Sequence, residues 1–289
     1  MDDTALLVQT ACVWEVCARK LGNVTRHRDF ADAGLTDFLL SAAAIAPVLA
    51  ADLPLGETIR DAVAATRRVT TSNTNLGLIL ALAPLAKCPR GRPLSQSLPA
   101  ILNSLTIDDA IHAYTAIRMA KPGGLGRVEA EDVTDTPTVT LRDAMALAAD
   151  RDLIARQYVT DFHAVLTFGL TAFRRSWVRT GRVEAAILET QIAWLAAFPD
   201  SLIARKNGDD AAISVWRLAQ DANRPGPIDP VAAARLDAHL RSDGHRLNPG
   251  TTADLIAAVL FAALHDGIVT VSAPFSWECD SWPSGIGSA

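Results

Sequence analysis

Five short segments of the chain combine cations, amides, hydroxyls and carboxylates in patterns able to hold an anionic ligand, and each abuts an apolar helical run. The first runs from Glu15 through Lys20 to Gly22-Asn23-Val24. Glu15 falls on the same helical face as Val8, Ala11 and Cys12, so its carboxylate is expected to be poorly solvated and available for catalysis. A plainer account pairs it with Arg19 at i,i+4 and stops the helix at Gly22. The second segment, Ser72-Asn73-Thr74-Asn75-Leu76-Gly77, opens a helix that is apolar on nearly every side. One of Asn73 and Asn75 suffices as a cap, which leaves the other for a ligand. Backbone donors at such a helix start favour a phosphate, and Gly77 admits a close approach by a ligand or another helix.

The third segment, Pro122-Gly123-Gly124-Leu125-Gly126, follows a helix and lacks the lysine and hydroxyl of a P-loop, so it is neither a P-loop nor a dinucleotide turn. Downstream, Asp150 and Asp152 stand two residues apart and point to different faces, so one can serve a ligand or a metal while the other is solvated. The fourth segment brackets a short apolar run with Asp200 on one side and Arg205-Lys206-Asn207-Gly208 on the other. Paired cations there suit a polyphosphate, against the simpler reading of a solvated helix end. In the fifth, Asn248-Pro249-Gly250 turns into Thr251-Thr252-Ala253-Asp254. Thr251 and Asp254 have capping-box spacing, yet a helix start buried with spare polar groups is also a good anion site.

Helices must position these segments. Apolar periodicity predicts them over 4–19, 36–50, 56–70, 75–87, 107–120, 139–179, 183–198, 210–222, 229–242 and 251–265. The composition, rich in Ala, Leu, Ile and Val with 6% aromatics, favours helix over strand. The expected fold is an all-α, single multi-helix bundle over 1–267, with the all-round apolar runs 76–86 and 255–264 as its two buried central helices. A short strand is expected at 268–271, within a loosely ordered tail of 268–289.

A net charge of −5 over 289 residues, with no basic stripe, argues against a nucleic-acid partner. The longest uncharged stretch, 69–86, is too short and too polar for a membrane span, and the start lacks a signal pattern, so a cytoplasmic protein is expected. Four cysteines and six histidines show neither metal-ligand pairs nor disulfide density.

Taken in order, Glu15-Val16…Lys20…Gly22-Asn23-Val24, Asn73-Thr74-Asn75-Leu76-Gly77, Pro122 to Gly126 with Ala149-Asp150-Arg151-Asp152 beyond, Ala204-Arg205-Lys206…Gly208 and Asn248 to Leu255 resemble the triphosphoribosyl-dephospho-CoA synthase family over about residues 5–265. The resemblance implies an enzyme that joins the ribose triphosphate of ATP to a small-molecule acceptor, 3′-dephospho-CoA, and releases adenine, with Mg2+ expected. Carried over by motif, it places Lys20, Asn23, Asn73, Asn75, Asn248, Thr251 and Thr252 on the nucleotide, with Asp200 and Asp254 as the acidic pair. The commoner family pattern has Pro at position 21, His and Lys at 75 and 76, and Asp-Thr-Asn at 200–202. Leu21, Asn75, Leu76 and Ser201-Leu202 stand there in this chain. The wording is closer to a divergent branch associated with pterin-linked one-carbon metabolism, which leaves related phosphoribosyl transfer, or a non-catalytic nucleotide-binding or assembly role, as alternatives.

Overall fold

A computed structural model describes residues 3–123, 131–224 and 226–275. Among them are fourteen α-helices and no strand: α1 (Asp3–Cys17), α2 (Leu35–Leu49), α3 (Leu55–Arg67), α4 (Leu76–Ala86), α5 (Leu94–Asn103), α6 (Ile107–Ala120), α7 (Leu141–Ala148), α8 (Leu153–Val159), α9 (Leu170–Thr180), α10 (Val183–Ala197), α11 (Ser201–Asn207), α12 (Asp209–Ala222), α13 (Pro230–Leu240) and α14 (Gly250–His265). Five of them begin on chemistry legible in their residues. Thr106 and Thr140 accept from the backbone N–H three residues on, and Asp152, Asp200 and Asp229 each accept from two N–H groups of the helix they precede. Each such cap is worth about 1 kcal/mol.

The expected central helices are found at the centre. Every residue of α4 except Gly77 is buried, as is every residue of α14 except Gly250 and Asp254, and the two helices pack on each other. With Leu255, Ile256, Val259, Leu260 and Phe261 all at 1% exposure or less, α14 alone buries five large side chains, each worth about 1.5–3 kcal/mol. A second apolar cluster joins Leu188, Ile192 and Leu195 of α10 to Val215 of α12 and to Leu236 and Leu240 of α13, and Leu21 from the loop after α1 plugs into it.

Three expectations are corrected. The run 139–179 is not one helix. It breaks at Asp150-Arg151-Asp152, where the Asp152 carboxylate caps α8, and again at Asp161-Phe162, which take φ values of 51° and 58° before a π-helical turn, Ala164–Gly169. Its apolar spacing continues across both breaks because Leu141, Ile154, Val165 and Phe173 face one core. Residues 201–207, outside the expected helices, form α11, and α5 was absent from the expectation because Pro93 and Pro99 mask its period. No strand forms at 268–271. That segment turns so that the Pro274 and Phe275 carbonyls accept from Val183 and Glu184 at the start of α10. No helix among the described residues is long and apolar enough to cross a membrane.

Candidate active site

A cavity of about 270 Å³ opens where the loop after α1 and the starts of α4, α8, α11 and α14 converge. Its polar lining comprises Glu15, Lys20, Asn23, Asn73, Asn75, Asp152, Arg205, Asn248, Thr251 and Asp254, and its apolar lining includes Leu78, Leu80, Ile117, Met145 and Ile154.

Lys20 is only 2% exposed. Its Nζ lies 2.8 Å from Glu15 Oε1 and donates to the Val24 carbonyl at 3.1 Å. Glu15 therefore pairs with Lys20, not with Arg19, which reaches across to Glu184 on α10 instead. Burial pushes the Glu15 carboxyl up and Lys20 pulls it back, with a net rise. Asn73 Oδ1 accepts from the N–H of Leu76, the first residue of α4, although the N-cap position itself is Asn75, whose side chain makes no cap bond. Asn75 is the spare one: its Oδ1 accepts from Thr66, while its Nδ2 is buried without a partner. Asn23 Nδ2 is likewise buried and unpartnered. Two amide donors in this lining thus lack acceptors. Such groups are costly to leave unmet, so a ligand that accepts from them gains their full value.

The expected capping box at α14 does not form. The helix starts one residue earlier, at Gly250, which puts Thr251 inside the first turn and turns Asp254 toward the cavity. Asp254 makes no hydrogen bond or ion pair with any described residue. Burial first, then the charges of Glu15, Asp200 and Asp152, holds its carboxyl well above the usual range, with Arg205 opposing. Gly77 makes room for it: a Cβ there would stand 2.0 Å from Asp254 Oδ2.

Asp200, expected to be catalytic, is placed elsewhere. It is fully buried and does not line the cavity. Its Oδ1 accepts from Leu202 and Ile203 N–H, and its Oδ2 from Thr252 N–H and Oγ1. Both oxygens are occupied in locking the start of α11 to the start of α14, so neither Asp200 nor Thr252 is free for substrate. Of the remaining residues, Arg205 lines the rim and donates to Asp152 at 3.2 Å, whereas Lys206 and Asp150 are exposed and off the lining. Gly124, Leu125 and Gly126 lie outside the described residues. The apolar lining was not anticipated, because Ile117, Met145 and Ile154 read as ordinary core positions.

Three carboxylates line the cavity, but no group of three His, Cys, Asp or Glu suited to a metal occurs among the described residues. Magnesium on a polyphosphate takes one or two carboxylates and fills its shell with phosphate oxygens and water. The donor set fits a metal carried in with a nucleotide and held mostly by phosphate and water: Glu15 is paired with Lys20 and Asp152 with its helix start and Arg205, which leaves Asp254 to face it.

The family model described as CitG, ATP:dephospho-CoA triphosphoribosyl transferase, matches residues 1–270. Among solved structures, one described as a triphosphoribosyl-dephospho-CoA synthase from Archaeoglobus fulgidus superposes with a TM-score of 0.63 at 26% identity, covering 79% of this chain and 99% of its own. No curated protein matches. With the match spanning nearly the whole chain, the protein belongs to the ATP:dephospho-CoA triphosphoribosyl transferase family and is a transferase.

Proposed function

We propose that the cavity binds ATP with its triphosphate along the polar lining, and that the enzyme transfers the triphosphoribosyl group to a hydroxyl of 3′-dephospho-CoA with release of adenine. The observation that carries this reading is the pair of buried, unpartnered amide donors, Asn23 Nδ2 and Asn75 Nδ2, in the lining that also holds Lys20 and Asp254. Lys20 and the two amides meet phosphate oxygens, Arg205 meets them at the rim, and the apolar lining packs the base or the acceptor.

In the reaction the bond between ribose C1 and adenine N9 breaks and a bond from the acceptor oxygen to C1 forms. Adenine leaves with the bonding pair and takes up a proton. The ribose gains positive charge as the base departs, and the Glu15 carboxylate, kept in place by Lys20, stabilises it electrostatically. Asp254 accepts the proton of the attacking hydroxyl; a carboxyl raised toward neutrality by burial is a better base than an ordinary one. A magnesium ion bound with the nucleotide would neutralise the triphosphate and be held mainly by phosphate oxygens and water, since Asp152 is occupied by its helix start and by Arg205. Incubation with ATP, Mg2+ and dephospho-CoA should give free adenine and a product heavier by one triphosphoribosyl group in equal amounts. Absence of adenine under those conditions contradicts the assignment.

One observation favours a second acceptor. Asn75 and Leu76 both line the cavity at the positions where the commoner family pattern has His and Lys, so this cavity carries less positive charge. A transferred group with a single 5-phosphate in place of the triphosphate, as phosphoribosyl diphosphate would supply to a pterin-type acceptor, fits that change. In the same assay, turnover of phosphoribosyl diphosphate with release of diphosphate and no turnover of ATP would select it.

A further inference from the structure

Lys20 and Asn23 sit on a loop, and a loop places side chains accurately only if its backbone is held. The backbone from Lys20 to Asn23 is held almost entirely by side chains of two distant helices. Gln191 of α10 reads both polar groups of Leu21: its Oε1 accepts from Leu21 N–H at 2.8 Å and its Nε2 donates to the Leu21 carbonyl at 2.9 Å. Asp237 of α13 accepts from Gly22 N–H at 2.7 Å, and the same oxygen accepts from Arg241 Nε at 2.9 Å. Arg241 Nη2 in turn donates to the Asn23 carbonyl at 3.0 Å.

These contacts lie in the interior. Gln191 is fully buried, Asp237 is 5% exposed, and Leu21 between them is sealed in the second apolar cluster. Gly22 has φ +68°, and a Cβ on it would stand 2.5 Å from Leu240 Cβ, so the loop is also pressed flat against α13. None of the three side chains lines the cavity. A buried glutamine, aspartate and arginine in otherwise apolar surroundings are costly to keep, and all their visible contacts serve one four-residue stretch.

We propose that Gln191, Asp237 and Arg241 are positioning residues for phosphate binding, which fix the Lys20–Asn23 backbone so that Lys20 Nζ and Asn23 Nδ2 present themselves to the phosphates. The proposal rests on the reading that these two groups bind phosphate. It assigns the α10–α13 cluster a purpose beyond packing, and it predicts that loss of these contacts weakens binding of the phosphates before it impairs the chemical step.

The test measures binding of inorganic tripolyphosphate by calorimetry, KM and kcat for ATP, and Tm in five single variants and one double variant. Gln191→Met is expected to weaken tripolyphosphate binding and raise KM for ATP by about tenfold, with kcat within about twofold, the pattern of lost uniform binding. Asp237→Asn, which keeps an acceptor for Gly22 but loses the charge on Arg241, is expected to give a smaller shift in the same direction, and Arg241→Lys likewise. Val215→Ala, in the same apolar cluster but removing no hydrogen bond to the loop, should lower Tm without moving KM. Asn23→Ala removes a direct donor, and Gln191→Met added to it should have less than its full effect, because the two act through one loop.

Unchanged tripolyphosphate binding in folded Gln191→Met, while Asn23→Ala weakens it, overturns the positioning role alone. Unchanged binding in Asn23→Ala overturns the phosphate reading and this proposal with it. An equal rise in KM from Val215→Ala shows that lost stability suffices and also overturns the proposal. Should Gln191→Met fail to fold, Asp237→Asn and Arg241→Lys decide the matter by the same criteria.

Discussion

Replacing Gly77 by Ala isolates the contact on which the Asp254 assignment depends. Gly77 lies in the first turn of α4 with ordinary helical backbone, so alanine should by itself gain about 1 kcal/mol of helix propensity. The added Cβ, however, would stand 2.0 Å from Asp254 Oδ2, where ordinary contact begins at 3.4 Å, so the two must separate by about 1.4 Å. It would also stand 2.8 Å from Ile154 Cδ1. Overpacking of this kind costs about 1–3 kcal/mol, which roughly offsets the propensity gain and leaves Tm within a few degrees of wild type. Catalysis has no such compensation: a reacting group displaced by an ångström loses on the order of 100-fold in rate. The expected signature is therefore a loss of about 100-fold in kcat/KM, read by adenine release, in a protein that melts nearly normally. Asp254→Ala should relieve the clash, so the double variant should show a coupling of about 1 kcal/mol or more in stability. Wild-type activity in Gly77→Ala would falsify the idea that the Asp254 carboxylate must stay where the glycine lets it lie.

Asp254→Asn should reduce turnover by at least about 100-fold yet raise stability at pH 8 by about 1 kcal/mol, since it removes a poorly solvated, unpaired charge. The sign follows from the raised carboxyl: its contribution to stability is present below the unfolded pKa and is lost as pH rises through the folded one. Equal stability of the two proteins at pH 8 would count against a poorly solvated, ionising Asp254. Glu184 behaves oppositely. Burial opposes its ionisation, but Arg26 and Arg19 outweigh burial and hold its carboxyl below the usual value. Its contribution is present above the unfolded pKa and is lost as pH falls through the folded one, so Glu184→Gln should flatten the acid limb of a denaturation curve between about pH 5 and the folded pKa; an unchanged limb refutes this. Asp200→Ala strips four hydrogen bonds from two helix starts and should cost about 3 kcal/mol or more, visible as a large fall in Tm. A normally stable Asp200→Ala protein that turns over no substrate would return Asp200 to the chemistry.

The sequence marks α4 and α14 as central because helices apolar all round need neighbours on every side, and that reasoning involves no distant residue. It is weaker wherever one residue type has two uses. Asp200 and Asp254 look equally catalytic on paper. What separates them is that Thr252 donates twice to the first, whereas the second faces Gly77, and both facts depend on how α11 and α4 meet α14. The spacing of Thr251 and Asp254 suggests a cap, but Gly250 lets α14 begin a residue early, so Thr251 accepts from Ser201 instead and Asp254 is left to the cavity. Asn73 and Asn75 are the opposite case: one cap is enough for one helix, so the surplus amide was visible from the sequence. Gln191 offers only a faint signal, a lone amide in an apolar helix, because its partners are 170 residues away.

The most direct measurement is a crystal structure with a non-transferable ATP analogue and Mg2+. The account predicts the triphosphate within hydrogen-bonding distance of Lys20 Nζ, Asn23 Nδ2 and Asn75 Nδ2, and ribose C1 facing Glu15 and Asp254. A nucleotide bound elsewhere, with those two amides still lacking acceptors, would contradict it.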